Sequence, residues 1–186
     1  MQHTGTVILV LALAAVVLAL VVWYLRRPPQ LAADVAEARQ SVSALRRILV
    51  PIRGFPFEER AVELACRLGQ EQKSEIVLAC VLEVPLTLSL GTPLPEEEEK
   101  AREALARSAQ LVRLHGLTPV ERIERDREAG RGILRAAQEM HVDLVVVALD
   151  PARGQAVNPI GPTTEALLRR ADFEVIVDRK APARLD

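Results

Sequence analysis

The chain has 186 residues, with 24 basic and 25 acidic side chains and a net charge of −1. This balance excludes the basic field by which proteins hold nucleic acid. An aromatic content of 3% leaves few rings on which single-stranded bases stack. We therefore predict no nucleic-acid partner.

Residues 7–25 form a continuous apolar segment, VILVLALAAVVLALVVWYL, without a charge, amide, glycine or proline. Nineteen helical residues span about 29 Å, close to the hydrocarbon thickness of a bilayer. We therefore predict a single transmembrane helix. A cleaved signal peptide is the alternative, but no basic residue precedes the segment, and the segment is longer than a usual signal core.

Arg26 and Arg27 directly follow the apolar segment. The positive-inside rule then makes residues 1–6 a short extracytoplasmic end and places the rest of the chain in the cytoplasm. Residues 26–46 are predicted to be a linker with a short amphipathic helix, which packs on the domain or on a neighbouring chain. Its apolar stripe consists of Leu31, Val35, Ala38, Val42 and Leu45.

Beyond the linker, strand and helix patterns alternate. Continuous apolar runs such as 48–52 are typical of strands buried on both faces of a sheet. The predicted strands are 48–52, 75–84, 120–125, 143–149 and 173–177, and the predicted helices are 59–70, 96–115, 132–140 and 163–170. This alternation predicts an α/β domain at residues 47–179, with an open five-stranded parallel sheet and helices on both faces. A tail, residues 180–186, follows.

Such sheets bind ligands beyond the carboxyl ends of their strands, where the strand order reverses. Segments 52–55, 81–84 and 149–161 are expected to line that crevice. Cys66 and Cys80 lie in apolar patterns and are predicted to be buried free thiols. The three histidines are scattered, so we predict no metal site.

Three segments resemble the universal stress protein family. They are RILVPIRG at 47–54, EAGRGILRAAQEMHVDLVVVAL at 128–149 and ALLRRADFEVIVDR at 166–179. They are similar to its first strand, to its third helix with the fourth strand, and to its last helix with the fifth strand. The resemblance implies a five-stranded parallel sheet of the adenine nucleotide alpha hydrolase-like kind. It also implies a dimer formed through the last strand and, in many members, binding of ATP or AMP.

The chain departs from that family at the phosphate loop. Nucleotide-binding members carry Gly-x-x-Gly, nine residues, then Gly followed by Ser or Thr. Here the matching positions are Ala148, Pro151, Gly161 and Pro162, so we describe the loop as degenerate. Each proline removes an amide donor, and we therefore predict no tight ATP binding. Arg53 also replaces the usual aspartate after the first strand.

A residual nucleotide or anion crevice is nevertheless a candidate. Its predicted residues are Ile52, Arg53, Val81, Arg153, Gly161 and Thr163. The alternative for both arginines is a solvated or ion-paired side chain. The run Thr163-Thr164-Glu165 is most simply interpreted as a helix cap.

No arrangement of residues resembles catalytic machinery, so we predict that the protein is not an enzyme. Glu58 and Glu59 are interpreted as partners of a helix dipole. The first hypothesis is a membrane-anchored accessory or interaction subunit without a cofactor, attached to a larger membrane-protein complex. The alternative is a membrane-tethered sensor of ATP or AMP. The last strand is expected to lie at the sheet edge, covered by a second copy or a related domain, or else by a loop or another subunit.

Overall fold

A computed structural model describes residues 17–18, 45–150 and 160–179. The chain divides into two units, Met1–Ser43 and Ala44–Asp186. In the first unit, Val17 and Leu18 are helical and exposed. The rest of the predicted anchor, 7–25, and residues 26–44 of the predicted linker lie outside the described residues. Among the residues that are described, no helix has the length and apolar character needed to cross a bilayer.

The second unit contains the predicted alternation of five strands and four helices. A single 3₁₀ turn, Pro56–Glu58, precedes the first helix. The elements are β1 (Arg47–Pro51), α1 (Glu59–Gly69), β2 (Glu75–Glu83), α2 (Pro95–Leu114), β3 (Thr118–Asp126), α3 (Ala129–Glu139), β4 (Leu144–Ala148), α4 (Gly161–Arg170) and β5 (Glu174–Asp178). The predicted α/β domain with five parallel strands is confirmed, and no element end is shifted by more than three residues.

All five strands are parallel, and their order is β3-β2-β1-β4-β5. The chain builds outward from β1 to β3 and then crosses to the other side of β1. The order therefore reverses between β1 and β4, and a crevice opens there at the carboxyl ends of the strands. The edge strands are β3 and β5, as the sequence predicts.

Apolar side chains of the sheet enter two separate cores. Ile48 and Val50 of β1 pack with α1 and α2 on one face. Leu49, between them, packs with α3 and α4 on the other face. This is why the strand needs a continuous apolar run rather than an alternating one. Cys66 and Cys80 are buried free thiols, as predicted.

Candidate functional site

The crevice between β1 and β4 is a cavity of about 230 Å³. Its floor is apolar and comes from three strands and α3, with Ile52, Ala79, Val81, Ile133 and Val147 among the lining residues. Its rim is polar and includes Arg53, Glu58, Glu83, Asp150, Thr163 and Thr164. The floor suits a flat apolar group, and the rim determines which charges can accompany it.

Glu58 is the most buried charged group on this rim, with 4% of its surface exposed. Its Oε2 atom accepts the backbone N–H groups of Arg53, Gly54 and Phe55 at 2.8, 2.9 and 3.1 Å. Burial raises the pKa of Glu58 above its usual range, although these backbone N–H groups oppose the shift. Glu58 lies at the helix start, as its interpretation as a dipole partner requires, and its carboxylate in addition accepts the N–H groups of the loop that follows β1.

Glu83 has a similar role at the end of β2. Its Oε1 accepts the backbone N–H of Ala129, the first residue of α3, at 2.8 Å. An acidic group at a helix N-terminus compensates the unpaired N–H groups and the positive end of the helix dipole. The partners are 46 residues apart in sequence, so neither residue alone indicates the contact.

The N-terminus of α4 is the third set of backbone donors at the crevice. The helix begins at Gly161, whose φ is +74°, and Pro162 follows in its first turn. Thr163 and Thr164 therefore lie inside the helix and line the crevice. The prediction that they cap the helix is wrong, because the helix begins at Gly161 and its N-cap position is Ile160, with no side-chain capping hydrogen bond.

Arg53 points its guanidinium at local partners. Its Nε atom lies 3.5 Å from Oε1 of Glu58, and its Cζ atom lies 5.0 Å from the ring centroid of Phe55. The rings of Phe55 and Phe57 are stacked, with centroids 5.4 Å apart. This supports the ion-paired alternative for Arg53, and the aromatic stack beside it was not predicted.

The structure brings together five of the six predicted site residues. Ile52, Arg53, Val81, Gly161 and Thr163 all line the crevice, while Arg153 lies outside the described residues. Their role in binding stays a prediction. Sequence reasoning missed the role of the rim carboxylates. Glu83 lies near the carboxyl end of the predicted strand 75–84, which was a usable signal, whereas Glu58 lies beyond the loop that follows the strand 48–52.

The thiol of Cys80 lies close to this site without serving it as a nucleophile. Burial raises the pKa of Cys80 to about 11, with a smaller contribution from the charge of Glu58. Burial likewise raises the pKa of Cys66 to about 11. Both thiols are therefore protonated at neutral pH. A protonated thiol is a poor nucleophile, because the thiolate is the reactive form.

The sequence profile of the Universal stress protein family matches residues 44–179. The chain belongs to this family. A search of curated proteins finds no match.

Solved universal stress proteins share the fold. One from Archaeoglobus fulgidus superposes with a TM-score of 0.61 at 16% identity, over 70% of this chain and 96% of that chain. One solved in complex with cAMP gives 0.60 at 18% identity, over 72% and 96% of the two chains. A family protein from Arabidopsis thaliana with AMP bound gives 0.53 at 14% identity, over 73% and 92%.

We predict that Glu58→Ala lowers the free energy of unfolding by about 1–2 kcal/mol, because the loop N–H groups lose their acceptor. Glu58→Gln retains an acceptor oxygen and should preserve stability at pH 7. The pH dependence follows from the raised pKa of Glu58. Folding favours the protonated carboxyl, so its contribution to stability is present at low pH and is lost as pH rises through the folded pKa. Urea denaturation followed by circular dichroism measures both variants.

The neighbouring variant Glu59→Ala is the matched control for this prediction. Glu59 is exposed, so its removal should change the free energy of unfolding by less than about 0.5 kcal/mol. If Glu58→Gln is as unstable as Glu58→Ala, the acceptor oxygen is not what Glu58 contributes.

Proposed function

We propose that this universal stress protein domain is a non-catalytic accessory subunit, tethered to the cytoplasmic face of a membrane, and that its crevice does not hold ATP tightly. The family membership supports the domain, and the apolar segment 7–25 followed by Arg26 and Arg27 supports the tether. The larger complex to which it contributes is a membrane-protein assembly.

The observation that carries the proposal is that the chain's own carboxylates occupy backbone donors at the crevice. Glu58 accepts the N–H groups of the β1 loop, and Glu83 accepts the first N–H of α3. In α4, Pro162 has no N–H to donate. A triphosphate needs such donors and a favourable field, whereas these carboxylates place negative charge beside it.

A second candidate is a membrane-tethered sensor of ATP or AMP. It is favoured by Gly161 at the start of α4, by the hydroxyl-bearing Thr163 and Thr164 beside it, and by the apolar floor at Val81. Family structures solved with AMP, dAMP and cAMP make this ligand class reasonable. The monophosphate is the better fit of the two, because it brings less negative charge to the acidic rim.

Calorimetric titration of the full chain in phosphatidylcholine nanodiscs separates the two candidates. We expect an ATP dissociation constant weaker than about 100 μM, because the occupied donors and rim charges forfeit several kcal/mol. The double variant Glu58→Gln, Glu83→Gln keeps both acceptors and removes both charges, so it should bind ATP about tenfold more tightly than the parent chain. A sub-micromolar constant for the unmodified chain, or ATP retained through purification, would favour the sensor.

Cell fractionation tests the tether independently of nucleotide binding. The chain should sediment with membranes and remain there after carbonate extraction, and protease added to intact cells should leave the domain undigested. A soluble mature chain that begins after residue 25 would show that the apolar segment is a cleaved signal.

We further propose that β5 pairs antiparallel with β5 of a second copy. Val175, Ile176 and Val177 are all half-exposed on this edge strand, whereas the opposite edge, β3, carries Pro119 and alternating charges that discourage pairing. Ile176→Lys should convert a dimer to a monomer in sedimentation of the detergent-solubilised chain. Val120→Lys on β3 is the control, and a parent chain that is monomeric at tens of micromolar would contradict the pairing.

A further inference from the structure

The loop between β2 and α2 exposes three leucines. Leu86, Leu88 and Leu90 have 87%, 37% and 44% of their surface accessible; we call them the leucine ledge. Singly exposed leucines are common on protein surfaces. Three within five residues concentrate exposed apolar side chains on one loop, and large exposed apolar patches are typical of interaction sites.

Two arginines fix the ledge to the body of the domain. Arg125 lies near the end of β3, and Arg127 directly follows the strand. Arg127 donates to the backbone carbonyls of Val84 and Leu88 at 3.0 and 2.7 Å and also to that of Pro85. Arg125 donates to the carbonyls of Leu90 and Thr92 at 3.2 and 2.6 Å. The guanidinium groups thus hold the loop by its backbone, and the leucine side chains remain at the surface.

An acidic surface continues from the ledge. Arg125 also pairs with Glu98, so the loop and the first turn of α2 form one connected unit. Next to Glu98, the side chains of Glu96, Glu97 and Glu99 are exposed. Glu97 pairs with Lys100 at 3.0 Å and Glu99 with Arg102 at 2.9 Å, and exposed pairs of this kind are weak. Residues 84–95 contain no charged residue of either sign. The resulting surface is apolar on the loop, and the first turns of α2 carry more glutamates than cations.

This charge pattern distinguishes between two kinds of occupant. The anionic lipids of a cytoplasmic leaflet attract basic segments and repel glutamates, so a bilayer is disfavoured. A basic amphipathic helix presents apolar side chains along one stripe and cations beside it. Its stripe complements the ledge, and its cations complement the glutamates.

We propose that the leucine ledge, together with Glu96, Glu97 and Glu99, is the docking surface for a basic amphipathic helix of a partner protein. The inference rests on the accessory role proposed above. It is tested without the membrane complex and without nucleotide, so its failure is distinguishable from failure of that role.

The probe is a 14-residue amphipathic helical peptide of leucine and lysine, and its twin carries glutamate in place of every lysine. Fluorescence anisotropy measures their binding to the full chain in phosphatidylcholine nanodiscs. We expect the lysine peptide to bind and the glutamate twin to bind at least about tenfold more weakly. Equal binding of the two peptides, or no binding of either, would overturn the proposal.

Two variants locate the binding surface. The triple variant Leu86→Ser, Leu88→Ser, Leu90→Ser removes the ledge, and Glu96→Gln, Glu97→Gln, Glu99→Gln removes the charges. Each variant should bind the lysine peptide at least about tenfold more weakly than the parent chain does. Leu114→Ser with Leu168→Ser is the matched control, since both side chains are exposed elsewhere, at 84% and 51%. If the control weakens binding as much as the ledge variant, the ledge is not the site.

A labelled chain tests the bilayer as occupant. Leu88→Cys accepts a polarity-sensitive dye, while the buried Cys66 and Cys80 are protected from labelling. In nanodiscs without peptide, the emission should match that of exposed dye and should shift to the blue only when the lysine peptide is added. A blue shift caused by the lipid alone would overturn the proposal in favour of membrane contact.

Discussion

Replacing Asp126 by alanine should lower the free energy of unfolding by about 2–3 kcal/mol. Asp126 ends β3 with 2% of its surface exposed. Its carboxylate accepts the backbone N–H groups of Arg127 and Glu128 at 2.7 and 3.3 Å. It also accepts Nε of Arg131 at 2.6 Å and Nη1 of Arg135 at 2.7 Å. Removing the carboxylate leaves two cations and two N–H groups without this acceptor at the start of α3.

Urea denaturation of the detergent-solubilised chain measures the loss. Asp126→Asn keeps the shape and one acceptor oxygen but not the charge, so it should fall between the parent and the alanine variant. Glu121→Ala is the control on the same strand. Glu121 forms an ion pair with Arg113 at 3.3 Å, both side chains are exposed, and such pairs contribute about 0–1 kcal/mol. A loss below about 1 kcal/mol for Asp126→Ala would show that this network does not stabilise the fold.

The contribution of Asp126 also has a defined pH dependence. Burial opposes its ionisation, but the hydrogen bond from Arg131, the backbone N–H groups and the Arg131 charge together hold the pKa of Asp126 below its ordinary value of 3.8. A lowered pKa means that the stabilisation is complete above about pH 4 and is lost as pH falls through the folded pKa. The stability difference between the parent chain and Asp126→Asn should therefore shrink below pH 4.

The fold was predictable because local patterns and topology agree. The run ILVPI at 48–52 indicates burial on two faces, and β1 does lie in the middle of the sheet with residues in both cores. The alternating segment 120–125 indicates an exposed edge, where β3 is found. Such patterns are local: whether a strand is buried on one face or on both can be read from the order of apolar and polar residues within that strand.

The site was only partly predictable because its decisive contacts join distant or unusual positions. The bond from Ala129 to Glu83 exists only once α3 packs beside β2, so neither residue's sequence neighbours reveal it. Glu58 looks like an ordinary acidic residue at a helix start, but the turn at 56–58 directs it back onto the β1 loop. Helix α4 begins at Gly161, two residues before the threonines that the polarity pattern favoured as its cap.

Gly132 is predicted to be a position in α3 where a side chain is poorly tolerated, because of Val81. A Cβ atom there would lie 2.7 and 3.0 Å from the two Cγ atoms of Val81 and 3.2 Å from Cβ of Asp126. Valine is β-branched and restricted in χ1, so rotation does not readily move both methyl groups away. We expect Gly132→Val to lower the free energy of unfolding by about 3 kcal/mol, the upper end of the usual cost of overpacking.

A double-mutant cycle shows whether Val81 is the cause. Val81→Ala removes both clashing methyl groups, so Gly132→Val should cost about 1–3 kcal/mol less in that background than in the parent chain. Gly91→Ala is the control, since its Cβ would meet only Ser89 Oγ at 3.8 Å. Additive effects of the two substitutions would show that the contact does not limit the position. Because Val81 also lines the crevice floor, a coupled pair would show that the packing of α3 on β2 constrains the side chain at this point of the crevice.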